Sequence, residues 1–118
     1  MGNARPERVR EYYRYVDDEA YEDLFSLFAD DIRYDRPGNE PIEGMEEFRR
    51  FYLDERALEN GTHDVHAVVP DGDIVAVRGR FEGEQGGDTV EFGFADFHRF
   101  DGQGTIVERW TYTDRDTV

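Results

Sequence analysis

The chain has 118 residues, 29 of them Asp or Glu and 14 Arg, with no Lys, no Cys and a formal net charge of −15. That length suits one packed core, so residues 1–118 are expected to form a single domain. The lack of Cys excludes disulfides, thiolate metal sites and Cys nucleophiles, and the negative charge excludes nucleic acid as a partner, because a polyanion would meet like charge.

Hydrophobic residues make up 37 % of the chain and aromatics 14 %, which is material for a packed interior rather than for a disordered acidic tail. No apolar run approaches the ~18 residues of a membrane span, and the opening MGNARPERVR lacks the apolar stretch of a signal peptide. No membrane association and a cytoplasmic location are therefore expected. Arg keeps its charge when partly buried, whereas Lys is a flexible, strongly hydrated point charge. An acidic surface with Arg as its sole basic partner suits a cytoplasm of high salt, where screening suppresses self-repulsion. A GC-rich codon bias produces the same residue choice. The expectation is a halophilic acidic protein.

In chain order, residues 5–28 read as helical. Pro6 suits a first turn, and Val9, Tyr12, Tyr13 and Val16 recur at three- and four-residue spacing before Leu24, Phe25, Leu27 and Phe28. Asp17 or Asp18 is placed to split this segment and cap a second helix. Ile32 and Tyr34 alternate with Arg33 and Asp35, a short strand, and RPGNEPIEG at 36–44 is a loop. Met45, Phe48, Phe51 and Tyr52 predict an amphipathic helix that ends near Asn60–Gly61.

The second half changes to period 2. Val65, Ala67 and Val69 alternate, then Val75, Val77 and Phe81, then Val90, Phe92 and Phe94, and finally Ile106 to Tyr112. Turns are expected at Pro70–Asp73, Gly83–Gly87 and Asp101–Gly102. Four strands joined by short turns form an antiparallel meander. Helices first and strands later imply an α+β domain, with helices on one face of a curved sheet.

Strand parity sorts the candidate functional residues. Val90, Phe92, Phe94, Asp96, His98 and Phe100 share one face, and Arg109 falls on the same concave side. Asp96 stands among aromatics, where desolvation raises a carboxyl pKa unless a cation is near. If Arg109 or Arg36 reaches it, the carboxylate stays ionised; if neither does, apolar walls favour the neutral acid. The ion-paired version is favoured, because two inward Arg require counter-charge. Arg36 shares the parity of Ile32 and Tyr34, and His63 is the remaining candidate for this cavity. Tyr12, Tyr13 and Tyr15 crowd one helix, as core packing or as inward hydroxyl donors. No His-x-x-x-His pair or carboxylate cluster stands at metal-ligand spacing, so neither a metal nor another cofactor is expected. Phe97, Trp110, Tyr112 and Ile106 point to the outer sheet face, where a two-fold homodimer would cover them.

LFADDIRYDRPGNEPIEGMEEFRRFY at 27–52 resembles the middle of the SnoaL-like and ketosteroid-isomerase-like proteins of the nuclear transport factor 2-like superfamily, and FADFHRFDGQGTIVERWTYTD at 94–114 resembles their last two strands. The resemblance runs over about residues 8–114 and is more specific for fold than for chemistry. It implies a cone-shaped, strongly bent, mainly antiparallel sheet closed on one face by N-terminal helices, a cystatin-like α+β roll around an apolar cavity. In the isomerase an Asp base shuttles a proton, while a Tyr and a protonated Asp bind the oxyanion. By position, Tyr12 matches that Tyr and Asp96 that Asp. The base does not carry over: its position before the loop Pro is Arg36. Asp35 is the nearest carboxylate, but parity turns it to the other face. Arg109 also stands where the family has an apolar or aromatic wall residue.

The reading from all of this is an isomerase, hydrolase or cyclase acting on a small apolar carbonyl or epoxide-like molecule by general acid–base catalysis. Asp96, His98 and Tyr12 are its candidate catalytic groups. Arg109, Arg36, His63, Phe92 and Phe94 are its candidate substrate-binding groups. The alternative is a non-catalytic ligand-binding or dimeric interaction module of the same fold. Open space between Tyr12 and Asp96 would favour the first, and closure by Arg109 the second.

Overall fold

Periodic apolar residues on the N-terminal segment bury one helical stripe, Val9, Tyr12, Tyr13 and Val16, along helix α1 (Arg5–Asp17). The computed structural model describes residues 4–56 and 58–114. Helix α2 (Tyr21–Phe25) follows, and its N-cap is Ala20 rather than Asp17 or Asp18. Glu19, in the left-handed region at φ 57°, breaks the chain between the two helices. Helical structure stops at Phe25, earlier than the apolar spacing suggests, because Phe28 already belongs to strand β1 (Phe28–Asp35).

A two-residue strand β2 (Ile42–Glu43) closes the Pro/Gly loop against β1. Helix α3 (Met45–Arg50) continues as a π-helical turn (Phe51–Glu55) and ends there, short of Asn60–Gly61. Those two residues lie inside strand β3 (Leu58–Asp71), at a register irregularity between Glu59 and Thr62. Asn60 takes φ 51°, and a side chain on Gly61 would collide with the Phe81 ring. The glycine thus serves a close approach of ring to backbone rather than a helix stop.

Strands β4 (Ile74–Gln85), β5 (Asp88–Phe100) and β6 (Ile106–Thr113) complete the antiparallel meander. The β4–β5 turn is Gly86–Gly87, both at positive φ, so β4 runs straight through Gly83. The six-stranded sheet has the order β2-β1-β6-β5-β4-β3, with β1 parallel to β6 and every other pair antiparallel. The sheet curls, and the helices pack inside the curl. Leu24, Ile32, Phe48, Phe81, Phe100 and Ile106 form the centre of the core.

Ile106 is a correction to strict parity. It is fully buried instead of facing outward with Phe97, Trp110 and Tyr112. Phe100 pairs with Ile106 while Arg99 pairs with Glu108, so Val107 is left over and the alternation slips by one residue. No described helix is long and apolar enough to cross a membrane.

Candidate functional site

On β5, Phe92, Phe94, Asp96, His98 and Phe100 are all buried, in alternation with exposed or half-buried neighbours. The pairing of β5 with β6 sets Asp96 opposite Thr111 and His98 opposite Arg109. Three donors converge on the Asp96 carboxylate. Tyr13 donates its hydroxyl to Oδ2 at 2.5 Å, Arg109 Nη2 donates to the same oxygen at 2.9 Å, and Thr111 donates to Oδ1 at 2.6 Å. The Tyr34 hydroxyl stands 2.9 Å from the Thr111 hydroxyl and extends the chain of hydrogen bonds to β1.

Burial alone would raise the Asp96 pKa, but the Arg109 guanidinium and the bonds from Thr111 and Tyr13 outweigh it. The carboxylate is held below its ordinary value and is ionised at neutral pH. Burial would likewise lower the Arg109 pKa, and Asp96 reverses the direction. The geometry favours the ion-paired version of Asp96 over the neutral acid: Arg109, not Arg36, is the cation that reaches it.

Arg109 is clamped as well as paired. Its Cζ stands 4.4 Å from the Tyr12 ring centroid and 4.5 Å from that of Tyr34. Its Nε and Nη1 are buried and, among the described residues, have no hydrogen-bond acceptor. Buried donors without an acceptor are rare in native structures, and each calls for an explanation.

His98 is fully buried and lies beneath Tyr13, outside the cavity wall. Tyr13 directs its hydrogen to Asp96, so His98 Nε2, 3.2 Å from the Tyr13 oxygen, carries the hydrogen of that bond. Burial, reinforced by the Arg109 charge, pushes the His98 pKa down to about 3. It is a neutral support for Tyr13.

Tyr12 is not the tyrosine that reaches Asp96. Its hydroxyl lies 2.5 Å from that of Tyr52. One of the two donates to the other, so one hydroxyl hydrogen remains uncommitted. Burial raises the Tyr12 pKa well above its ordinary value and that of Tyr52 to about 12, so both stay protonated donors.

Tyr12, Tyr34, Arg36, His63, Phe92, Phe94, Asp96, Arg109 and Thr111 line one cavity of about 40 Å³, together with Phe51, Tyr52, Arg56 and Leu58. An outer pocket of about 330 Å³ shares the Tyr52, Arg56 and Leu58 wall with it and carries Asp17, Glu19, Asp54 and Glu59. Arg36 is half-buried, its Cζ 4.0 Å from the Phe51 ring centroid. Asp35 turns away from the cavity and pairs with Arg33.

His63 brings in Asp17, which by its place in the sequence is expected only to punctuate the helix. Asp17 Oδ1 is 2.6 Å from His63 Nδ1, and Asp17 Oδ2 accepts the His63 backbone N–H at 2.9 Å. The ring packs against Tyr13, Phe81 and Phe94. With Nδ1–H committed to Asp17, Nε2 is the basic nitrogen, the geometry of an oriented general base. Of the three tyrosines expected on α1 as core packing or as inward hydroxyl donors, Tyr13 is the one that donates to Asp96. Tyr52, Thr111 and Asp17 do not stand out in the sequence as site residues, and of these Thr111 carries a usable signal, because it has the parity of Arg109. Among the described residues no cluster of three His, Asp or Glu could hold a metal ion.

The SnoaL-like domain family profile matches residues 9–109. No curated protein matches the chain. Among solved structures, the chain superposes on an NTF2-like protein of unknown function from Burkholderia pseudomallei with a TM-score of 0.85 at 17% identity, over 96% of this chain and 92% of that one. An LEH-like epoxide hydrolase from M. tuberculosis matches with a TM-score of 0.82 at 18% identity, over 93% and 82%. SalBIII, an epoxide hydrolase/cyclase-like enzyme with a role in pyran ring formation in the polyether salinomycin, matches with a TM-score of 0.81 at 21% identity, over 92% and 89%. At these identities the likeness is one of fold.

Proposed function

The chain belongs to the SnoaL-like domain family, and from that premise we propose that it binds a small, largely apolar molecule bearing a carbonyl or epoxide oxygen and isomerises, opens or cyclises it by general acid–base catalysis without a cofactor. One observation carries this reading: Arg109 lines an aromatic cavity with two buried nitrogens, Nε and Nη1, that have no acceptor. A substrate oxygen that gains negative charge in the transition state supplies what they lack.

Tyr12 donates to the same oxygen through the hydrogen left over from its pairing with Tyr52. Asp96 acts through Arg109, holding it in place and in charge. His98 acts through Tyr13. His63, oriented by Asp17, removes a proton from the carbon next to the carbonyl, or from the water that opens an epoxide. The neighbours described as epoxide hydrolase and cyclase-like enzymes are consistent with this chemistry on this fold. The inner cavity admits the reacting end alone, since typical small-molecule sites measure ~300–1,000 Å³, and the outer pocket receives the body of the ligand.

The test is hydrogen exchange next to the carbonyl in D2O, followed by NMR across a panel of aryl and alkyl ketones. The wild-type protein should accelerate exchange for part of the panel, and His63→Asn should lower that rate at least ~100-fold while binding persists. Equal rates for wild type and His63→Asn would remove His63 from the mechanism.

The alternative emphasis, an interaction module, rests on the outer sheet face. Phe97 is 38% exposed and Tyr112 58%, with the two rings edge to face at 5.9 Å. A second copy of the chain would cover this patch about a two-fold axis in a high-salt cytoplasm. Light scattering should give twice the 13.8 kDa chain mass; a monomer at all concentrations removes the dimer.

A further inference from the structure

Three Arg line the inner cavity, in a chain that has about two carboxylates for every Arg. Among the described residues the single carboxylate on the same wall, Asp96, is committed to Arg109, Tyr13 and Thr111. Arg56 donates to the Leu58 carbonyl at 3.2 Å. Arg36 forms no ion pair among the described residues, and its Nε is buried without an acceptor. Among the described residues, Glu55 is the carboxylate whose charge reaches it, and burial prevails, lowering the Arg36 pKa. Its guanidinium stands over the faces of Phe51, at 4.0 Å, and Tyr34, at 6.0 Å. The Tyr34 ring also flanks Arg109, so both cations adjoin one aromatic plate.

From this we infer that the molecule bound in the cavity carries one carboxylate, held by Arg36, beside the carbonyl or epoxide oxygen held by Arg109. The inference rests on the functional reading given above. A carboxylate is planar and has two acceptor oxygens, which matches a guanidinium fixed by stacking. Burial in an aromatic wall strengthens the pair relative to one in water. The outer pocket sets the limit on charge. Asp17, Glu19, Asp54 and Glu59 lie on its wall, so a second carboxylate at the far end of the ligand would face like charge. The site therefore selects monocarboxylates with an apolar body and rejects dicarboxylates of the same skeleton.

The test is calorimetric titration, at one salt concentration that keeps the fold intact, of benzoate, phenylacetate and 3-phenylpropanoate. Their primary amides, 1,4-phenylenediacetate and acetophenone serve as comparisons. The expected result is a monocarboxylate that binds at least tenfold more tightly than its amide and than the dicarboxylate, with Arg36→Met reducing it to the level of the amide. Equal binding of acid and amide, or a preference that survives Arg36→Met, overturns the inference. In either case, continued binding of acetophenone leaves the carbonyl-binding reading standing. Failure of every compound to bind overturns both.

Discussion

Arg109 Nη2 lies 2.9 Å from Asp96 Oδ2, with both side chains 3% exposed. A buried ion pair is weak evidence for stability, because desolvation opposes the attraction; breaking one, however, strands a charge. Asp96→Asn should therefore lower the unfolding free energy by about 3–5 kcal/mol in urea melts, and Asp96→Asn combined with Arg109→Met should recover much of that loss. A loss below about 1 kcal/mol for the single variant would mean that the charge on Arg109 is relieved elsewhere.

His98 supplies a pH signature. Its folded pKa, about 3, is below the ordinary His value of 6.5. The unfolded chain therefore binds a proton that the folded chain does not across this interval, and stability rises with pH there. The contribution is fully present above about pH 6.5 and is lost as the pH falls toward 3. Between about pH 6.5 and 5, wild type should lose about 2 kcal/mol more than His98→Gln, measured by denaturant unfolding. Parallel losses in the two proteins would show that His98 is protonated in the fold.

Gly79, on β4, allows a close approach that no other residue permits. A Cβ there would collide with the Asp64 carbonyl oxygen and press on the Phe94 ring of the cavity wall. Gly79→Ala should cost about 1–3 kcal/mol. Gly102→Ala, with nothing within 4 Å of its Cβ, is the control and should stay within about 0.5 kcal/mol of wild type. Equal melting temperatures for the two variants would contradict the packing described for β3, β4 and β5.

What the sequence makes legible depends on how local each signal is. Alternation along β5 put Asp96 and His98 on the buried face because that strand is regular through Phe100. The same rule failed one strand later, at Ile106, because the extra residue Val107 is invisible without the partner strand. Tyr12 and Tyr13 are both buried on α1, and the roll of the helix over the sheet decides that Tyr13 meets Asp96. Asp17 reads locally as a helix end, and its bond to His63 spans 46 residues that no spacing rule connects. Gly61 carries the same letter whether it stops a helix or admits a phenylalanine ring.

The charge of −15 predicts a salt response. Folding gathers like charges, and raising salt from 0.1 to 1 M shortens the screening length from about 10 to about 3 Å. The melting temperature should rise markedly over that range in KCl. A flat response would assign the Arg-rich, Lys-free composition to codon bias.

In the proposed function the unpartnered nitrogens of Arg109, with Tyr12, bind an electron-rich oxygen. Isotope-edited infrared spectroscopy of a ketone bound to the protein reads that contact directly. The carbonyl stretch should fall below its value in water and move upward in Tyr12→Phe. A stretch at or above the value in an apolar solvent would mean that Arg109 does not touch the ligand and that the proposed oxygen site is wrong.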